Sequence, residues 1–186
     1  MNNKKTLYIH VTDPSTTFLA ELYKDDINAT VLSGGLSKQA VIEHIKNHER
    51  IVFLGHGTCR GLLNCAAFFD TNGYIIDDEA VPILKQKCNT VFIWCYASDF
   101  QQTHGLDGFS SYMFISQEDE LWAGDLPQTD AKYIEDSNIK FVSILKECIH
   151  LSNKEIYKHV KAEYGKVAAT NPVAKYNCEH LYQFTK

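Results

Sequence analysis

Apolar positions along this chain follow two periods that alternate from one segment to the next. Short runs rich in apolar and β-branched residues predict strands, at Thr6–Val11, Ala29–Leu32, Arg50–Leu54 and Thr90–Trp94. Apolar residues spaced three or four apart predict helices, at Pro14–Lys24, after a cap at Ser37, from Asp77 or Asp78 onward, and over Ile139–Ile149 and Lys154–Val167. Strands that alternate with helices of this length are typical of βαβ units. The pattern therefore predicts an α/β fold with a mostly parallel sheet.

The segment between the predicted strands Arg50–Leu54 and Thr90–Trp94 has a different pattern of residues. Leu62–Phe69 leads into the turn sequence Asp70–Gly73, and Tyr74–Ile76 resumes an extended run, so we expect a small hairpin here. Two later stretches, Phe100–Gly108 and Asp125–Ser137, are polar and rich in turn residues. The sequence predicts that both are surface loops.

Composition and charge limit the classes of protein to which this chain can belong. The 186 residues are 45% hydrophobic and 22% charged, which are ordinary globular values, and residues 1–186 are expected to form a single domain. A formal net charge of −5, with scattered Lys and Arg, excludes the basic face that nucleic acid requires. No apolar run approaches a membrane span or a signal peptide, so we expect no membrane contact and a cytoplasmic location. The six cysteines are predicted to be free thiols.

Two of the predicted strands end at residues that carry reactive side chains. Arg50–Leu54 runs into Gly55-His56-Gly57, and Thr90–Trp94 runs into Cys95. If both strands are parallel members of one sheet, His56 and Cys95 emerge at the same carboxyl edge, where open α/β sheets place their chemistry. A histidine beside a cysteine can accept its proton and stabilise the thiolate. The backbone amides of Gly57 and Cys95 are the candidate oxyanion hole.

The residues around these motifs resemble a known family. Leu54-Gly55-His56-Gly57, then Phe69–Gly73, then Val91-Phe92-Ile93-Trp94-Cys95 is similar to the caspase-like cysteine peptidases, including their bacterial caspase-related and separase-related branch. The resemblance covers about Lys4 to Trp122. It implies a three-layer α/β/α sandwich with a caspase-like core of about six strands. It also implies a cysteine endopeptidase in which His56 is general base and acid and Cys95 is the nucleophile.

The sequence departs from caspases proper at the nucleophile. Cys95 lies between Trp94 and Tyr96 rather than within the Gln-Ala-Cys-Arg/Gln-Gly motif, and the arginine that holds an aspartate substrate has no matching context. Two alternatives therefore stay open. One is a catalytically inactive caspase-like module that acts as a protein-interaction domain, and the other is a flavodoxin-like binder of small molecules.

Substrate preference and regulation are predicted from acidic residues and from the polar loops. Asp99, Glu118 and Asp119 are candidate substrate-binding carboxylates, which would select cleavage after Lys or Arg in a protein substrate. A bare catalytic domain in the cytosol would be hazardous if always active, so we expect gating by loop movement or by an activating partner protein.

Other chemistry receives little support from the sequence. Gly55–Gly61 is one residue too long for a dinucleotide fingerprint, and the cysteines lack the paired spacing of a zinc site, so no cofactor and no metal are expected. His10 is a second candidate for the general base. His104 falls in a predicted polar loop, where we expect it to be exposed.

Overall fold

A mixed α/β fold built on one six-stranded sheet is seen in the computed structural model, which describes residues 6–185. The strands are β1 (Thr6–His10), β2 (Thr30–Leu32), β3 (Arg50–Leu54), β4 (Gly57–Thr58), β5 (Gly61–Leu63), β6 (Tyr74–Ile76), β7 (Asn89–Ile93), β8 (Gly108–Ser111) and β9 (Leu181–Phe184). The main sheet has the order β2-β1-β3-β7-β8-β9, in which only β9 is antiparallel to its neighbour. β4, β5 and β6 form a small antiparallel sheet, which contains the expected hairpin.

Helices pack on both faces of the main sheet. The α-helices are α1 (Lys38–Asn47), α2 (Val81–Leu84), α3 (Ala97–His104), α4 (Ala131–Cys148), α5 (Asn153–Ala168) and α6 (Pro172–Glu179). Short 3₁₀-helices cover Thr17–Leu22, Asp78–Ala80 and Glu118–Gly124. Within residues 6–185, none of these helices has the length and apolar character needed to cross a membrane.

Alternation along the strands divides the apolar core into two. In β1, Leu7 and Ile9 point to the face covered by α1, α2 and α3, whereas Tyr8 points to the face covered by α4, α5 and α6. All three side chains are essentially inaccessible to solvent. A parallel strand buried on both faces reads as a continuous apolar run, which explains why the central strands were predictable from sequence.

Polar side chains begin several of the helices as the sequence predicts. Ser37 Oγ accepts the backbone N–H of Ala40 at the start of α1, and Ser152 and Glu155 form a capping box at the start of α5. Each cap satisfies backbone donors that a helix cannot pair internally. The position of α1 matters most for the site, because it leads the chain into β3.

The structure corrects three of the sequence-based predictions. Phe100–Gly108 is not a loop: α3 occupies Ala97–His104, because Ala97 and Phe100 are fully buried and anchor its inner face. The predicted loop at Asp125–Ser137 ends early, since α4 begins at Ala131. The segment from Pro14 forms no α-helix, because the Asp13 carboxylate holds the next residues in a tight turn and only a 3₁₀-helix follows.

Candidate active site

Strand register brings His56 and Cys95 to the same edge of the sheet. β3 and β7 are parallel neighbours, and Leu54 pairs with Ile93 at the end of their ladder. His56 and Cys95 each stand two residues beyond that last pair. Both side chains line one small cavity, which confirms the expectation that the two residues share the carboxyl edge.

Gly55 allows the sharp turn that aims His56 at this edge. Its φ of +142° is a conformation that residues with a side chain rarely adopt, and an added Cβ would lie 3.0 Å from the carbonyl oxygen of Val11. The Gly55 N–H still donates to the Ile93 carbonyl, so the turn begins directly from the sheet. The chain therefore leaves β3 in one fixed direction.

A carboxylate from the neighbouring strand holds the His56 ring. Asp13 follows β1, and its Oδ2 lies 2.6 Å from His56 Nε2. Ser15 Oγ lies 2.8 Å from the same nitrogen and donates to Asp13 Oδ1 at 2.8 Å. Since a carboxylate only accepts, Nε2 carries a proton, and in the neutral form of the ring Nδ1 is then the nitrogen that can act as a base.

The Asp13 carboxylate is stabilised in its ionised form. Burial acts to raise its pKa, but hydrogen bonds from Ser15, the charge of His56 and hydrogen bonds from Thr16 outweigh burial and lower the pKa below its ordinary value. Its Oδ1 accepts the backbone N–H of both Ser15 and Thr16. A charged, fixed carboxylate behind a histidine is the third member of a Cys-His-Asp arrangement.

Cys95 lies in the tight connection between β7 and α3. The next residue, Tyr96, has φ +65° and ψ +23°, a left-handed conformation that costs energy for an aromatic residue. Its N–H donates to the Tyr112 carbonyl, and the Ala97 N–H donates to that of Trp94. Backbone strain of this kind is often kept at functional positions because the surrounding structure enforces it.

The cavity that contains Cys95 and His56 is small. Its volume is only about 20 Å³, room for one water molecule, and its walls include Thr16, Phe18 and Phe114. Burial raises the pKa of Cys95 to about 11; the Phe114 amide acts to lower it and the charge of Glu120 to raise it further. The thiol is therefore protonated at neutral pH. Within residues 6–185, no hydrogen bond joins its sulfur to His56.

Glu120 forms one wall of this cavity and fixes the segment that crosses it. Its Oε2 accepts the backbone N–H of Ser116 and Gln117 and the hydroxyl of Ser116. The side chain is almost fully buried, whereas its neighbours Glu118 and Asp119 are exposed. One residue of the acidic cluster is thus structural, and the other two face solvent.

A much larger groove adjoins this small cavity. It has a volume of about 720 Å³ and shares Phe18 and Ser116 with the cavity, and Ser15, which contacts His56, also lines it. Its far wall is the first half of α4. The groove therefore leads from open solvent to the His56 side of the dyad.

The predicted substrate-binding carboxylates occupy three separate places. Glu118 lines the large groove next to Ser116. Asp99 is in the first turn of α3 and lines a different pocket with Tyr112. Asp119 is exposed, and it lines neither the large groove nor the pocket of Asp99. The structure does not bring these three residues together.

Packing requires a glycine at position 57, whether or not its backbone amide also serves in an oxyanion hole. A Cβ at this position would lie 2.0 Å from Cδ1 of Trp94, so only glycine fits against the indole ring. The indole Nε1–H donates to the carbonyl of Thr58, which locks β4 beside the end of β7. The candidate oxyanion residues, Gly57 and Cys95, thus lie on either side of one buried tryptophan.

The two other histidines that the sequence analysis considered, His10 and His104, have other partners. His10 is fully buried, its Nδ1 lies 2.8 Å from the Tyr23 hydroxyl, and burial lowers its pKa to about 4. It therefore belongs to the core and does not reach the dyad cavity. His104 is not exposed as expected: it packs on Phe100 and its Nε2 lies 3.2 Å from Asp78 Oδ1.

Asp13, Ser15 and Glu120 were not identified from the sequence as site residues. A signal for Asp13 existed, because it follows a strand that neighbours β3, and the same edge argument that selected His56 applies to it. The residues around Asp13 were equally consistent with a helix N-cap at this position. Nothing local distinguishes Glu120 from the two exposed carboxylates before it.

All six cysteines are free, and within residues 6–185 no group of three or more His, Cys, Asp and Glu side chains is arranged to hold a metal ion. Comparison with protein-family models, with curated proteins and with solved structures found no match to this chain.

Proposed function

We propose that this protein is a cysteine endopeptidase that hydrolyses peptide bonds of a protein substrate through Cys95 and His56. One observation carries the proposal: the thiol and a histidine held by a carboxylate line the same cavity at the carboxyl edge of a parallel sheet. The mixed α/β fold with helices on both faces is compatible with the three-layer α/β/α sandwich of caspase-like peptidases. We include this finer fold assignment in the proposal.

His56 transfers the proton in each half of the proposed reaction. Its free Nδ1 accepts the proton from Cys95 as the sulfur attacks the substrate carbonyl carbon, and then gives it to the leaving amine as the peptide bond breaks. His56 next accepts a proton from the water that attacks the thioester, and it returns this proton to the Cys95 sulfur as the C–S bond breaks and the new carboxyl end is released. Asp13 does not take the proton. It holds the ring by its Nε2–H and stabilises the imidazolium.

The oxyanion that forms on the substrate carbonyl would be stabilised by backbone donors. The amides of Gly57 and Cys95 are the candidates, since these residues flank the Trp94 ring at the sheet edge. Donors built into the backbone need no reorganisation during the reaction, and removal of one such donor typically costs about 10²–10³ in kcat.

The described conformation is a resting state in this proposal. A cavity of about 20 Å³ cannot admit a peptide, and the thiol pKa of about 11 leaves little thiolate at neutral pH. Activity then requires the 3₁₀-helix that carries Phe18, or the segment that Glu120 fixes, to move aside. An activating partner protein that binds the adjoining groove could supply that movement.

We further propose cleavage after a basic residue in a reducing compartment such as the cytoplasm. The carboxylates of Glu118 and Asp99, which line two separate pockets, favour cationic side chains. Free thiols at all six cysteines support a reducing environment.

The test compares covalent labelling with turnover. A peptidyl acyloxymethyl ketone with arginine at its reactive end should modify Cys95 alone, and His56→Ala should slow this labelling at least tenfold. The exposed thiols Cys59 and Cys88 serve as internal controls for ordinary reactivity. Repeating the reaction with Phe18→Ala, which opens the cavity, separates a closed enzyme from an inactive one. Peptide cleavage that persists in Cys95→Ala would refute the dyad.

A second candidate is a non-catalytic caspase-like module that binds a partner protein. The half-buried, protonated thiol and the absence of a described hydrogen bond from Cys95 to His56 favour it. In that case Cys95 would react no faster than Cys59 or Cys88, even in Phe18→Ala.

A further inference from the structure

A pocket of about 340 Å³ lies between α3 and β9, apart from the dyad cavity and the large groove. Four of its lining residues carry aromatic or imidazole rings, and a carboxylate joins them. The full lining is Ser98, Asp99, Gln102, Tyr112, His180, Tyr182 and Phe184. We call it the aromatic pocket. None of its lining residues is lysine or arginine.

The rings of the aromatic pocket are held in place by one another. Tyr112 stacks on His180 with centroids 5.7 Å apart, and Tyr182 stacks on Phe184 at 6.3 Å. His180 Nδ1 donates to the Tyr176 carbonyl at 2.8 Å, which fixes the imidazole. The electron-rich ring faces are therefore already ordered before any ligand arrives, which lowers the entropic cost of binding.

The Asp99 carboxylate has no counter-ion in the described part of the chain. The side chain is half-buried, and within residues 6–185 it makes no described ion pair or hydrogen bond. Its place in the first turn of α3 explains why a negative charge is tolerated there, since the helix dipole favours it. Burial raises the pKa of Tyr112 and the charge of Asp99 raises it further, so the two groups are close enough to interact.

We propose that the aromatic pocket binds the guanidinium or ammonium group of an arginine or lysine side chain presented by a peptide. Ring faces attract a cation through their quadrupole, and Asp99 supplies a charge-assisted hydrogen bond. The net charge of −5 adds a long-range attraction for basic segments. The binding itself does not need Cys95 or His56. Its use in selecting the cleavage site rests on the proposed peptidase function.

Tyr96 connects this pocket to the nucleophile. Its ring packs edge-on against Tyr112 with centroids 4.7 Å apart, and it directly follows Cys95 in the chain. A basic side chain in the aromatic pocket would therefore contact Tyr112, whose ring touches the residue that follows Cys95. Asp99, rather than Glu118 or Asp119, is then the carboxylate that binds the basic side chain of the substrate.

The test measures binding on the Cys95→Ala protein, so that no turnover is involved. Acetylated, amidated Ala-Arg-Ala is titrated while backbone amide shifts are followed by NMR, with the citrulline peptide as a neutral isostere. We expect the arginine peptide to shift amides of α3 and β9 and to bind at least tenfold more tightly than the citrulline peptide. Asp99→Asn should remove this difference, whereas Asp136→Asn, which changes an exposed carboxylate on α4, should leave it unchanged.

Three outcomes would overturn the proposal. They are equal binding of the arginine and citrulline peptides, no shifts at α3 and β9 with about 10 mM arginine peptide, and an unaltered preference in Asp99→Asn. If Asp99→Asn proves unstable, Tyr182→Ser replaces it, because this half-exposed ring can be removed without opening the core. Arginine-specific binding in a protein whose Cys95 shows no selective labelling would support the pocket and refute the peptidase.

Discussion

Asp13 Oδ2 lies 2.6 Å from Nε2 of His56, so a residue in the segment that follows β1 fixes the ring of a residue in the segment that follows β3. The two strands are adjacent and parallel, and their ladder runs from Thr6 opposite Arg50 to His10 opposite Leu54. The contact is thus set by sheet register rather than by sequence proximity. It also assigns the histidine tautomer, which is the property that a general base depends on.

Replacing Asp13 by Asn tests this assignment. An asparagine amide can donate to Nε2 and so favour the tautomer with the proton on Nδ1, which cannot accept the proton of Cys95. We expect kcat/KM to fall about 10²–10⁴-fold. The ¹⁵N shifts of the His56 ring should report the tautomer change independently of activity. Ser15→Ala, which removes only the weaker partner, should have a smaller effect; an unchanged ring spectrum in Asp13→Asn would contradict the assignment.

The thiol of Cys95 should react slowly with iodoacetamide at neutral pH. Because only the thiolate reacts, the rate should keep rising with pH toward the pKa of about 11. Glu120→Gln removes a negative charge that raises this pKa, so its rate curve should shift to lower pH. Mass spectrometry of the alkylated peptides measures each thiol separately. A rate at Cys95 that levels off near pH 8 would show an activated thiolate instead.

Gly57→Ala should destabilise the protein severely. A methyl group 2.0 Å from the Trp94 ring cannot be accommodated without moving the indole or β4, and overpacking of a rigid core costs about 1–3 kcal/mol or more. Urea unfolding followed by tryptophan fluorescence measures the loss. Gly165→Ala is the matched control: it lies inside α5 with nothing within 4 Å of the added methyl, and should stabilise the protein by about 0.5–1 kcal/mol. Equal stability of both variants would argue against the close contact.

Stability should fall as the solution is acidified through the range set by His10. Burial lowers the pKa of this histidine from 6.5 to about 4, so the unfolded chain binds a proton at a pH where the native state does not. The free energy of unfolding should therefore decrease from about pH 6.5 down to about pH 4, by about 2–3 kcal/mol in total. His10→Gln should flatten that part of the curve. Urea midpoints across this pH range provide the measurement, and a slope unchanged in His10→Gln would exclude His10 as its source.

The central sheet was accessible from sequence because its signals are local. An apolar run such as Ile51–Leu54 predicts a strand that is buried on both faces, and the glycines around His56 predict the turn that ends it. The shared edge of His56 and Cys95 then follows from topology alone. Whether the side chains of His56 and Cys95 touch could not be predicted, because this contact depends on how Phe18 and Phe114 pack around the cavity that both residues line.

The elements that sequence reasoning missed depend on distant partners. α3 looks polar, yet Gln101 is fully buried beside Phe100 because the helix packs inside the molecule. β9 is a short run whose strand conformation is imposed by pairing with β8 across more than sixty intervening residues. Tyr96 adopts a left-handed backbone that no propensity favours. In each case tertiary contacts override the local preference.

The wall that covers Cys95 is fastened by residues far along the chain. Asn177 donates from Nδ2 to the Ile115 carbonyl and accepts the Ile115 N–H on Oδ1, and the Tyr112 N–H donates to the His180 carbonyl. A ribosome synthesises Cys95 well before Asn177. During translation the nascent chain therefore carries the thiol before its cover can be secured, so the period of greatest exposure to oxidants and to chance partners falls before the chain has folded.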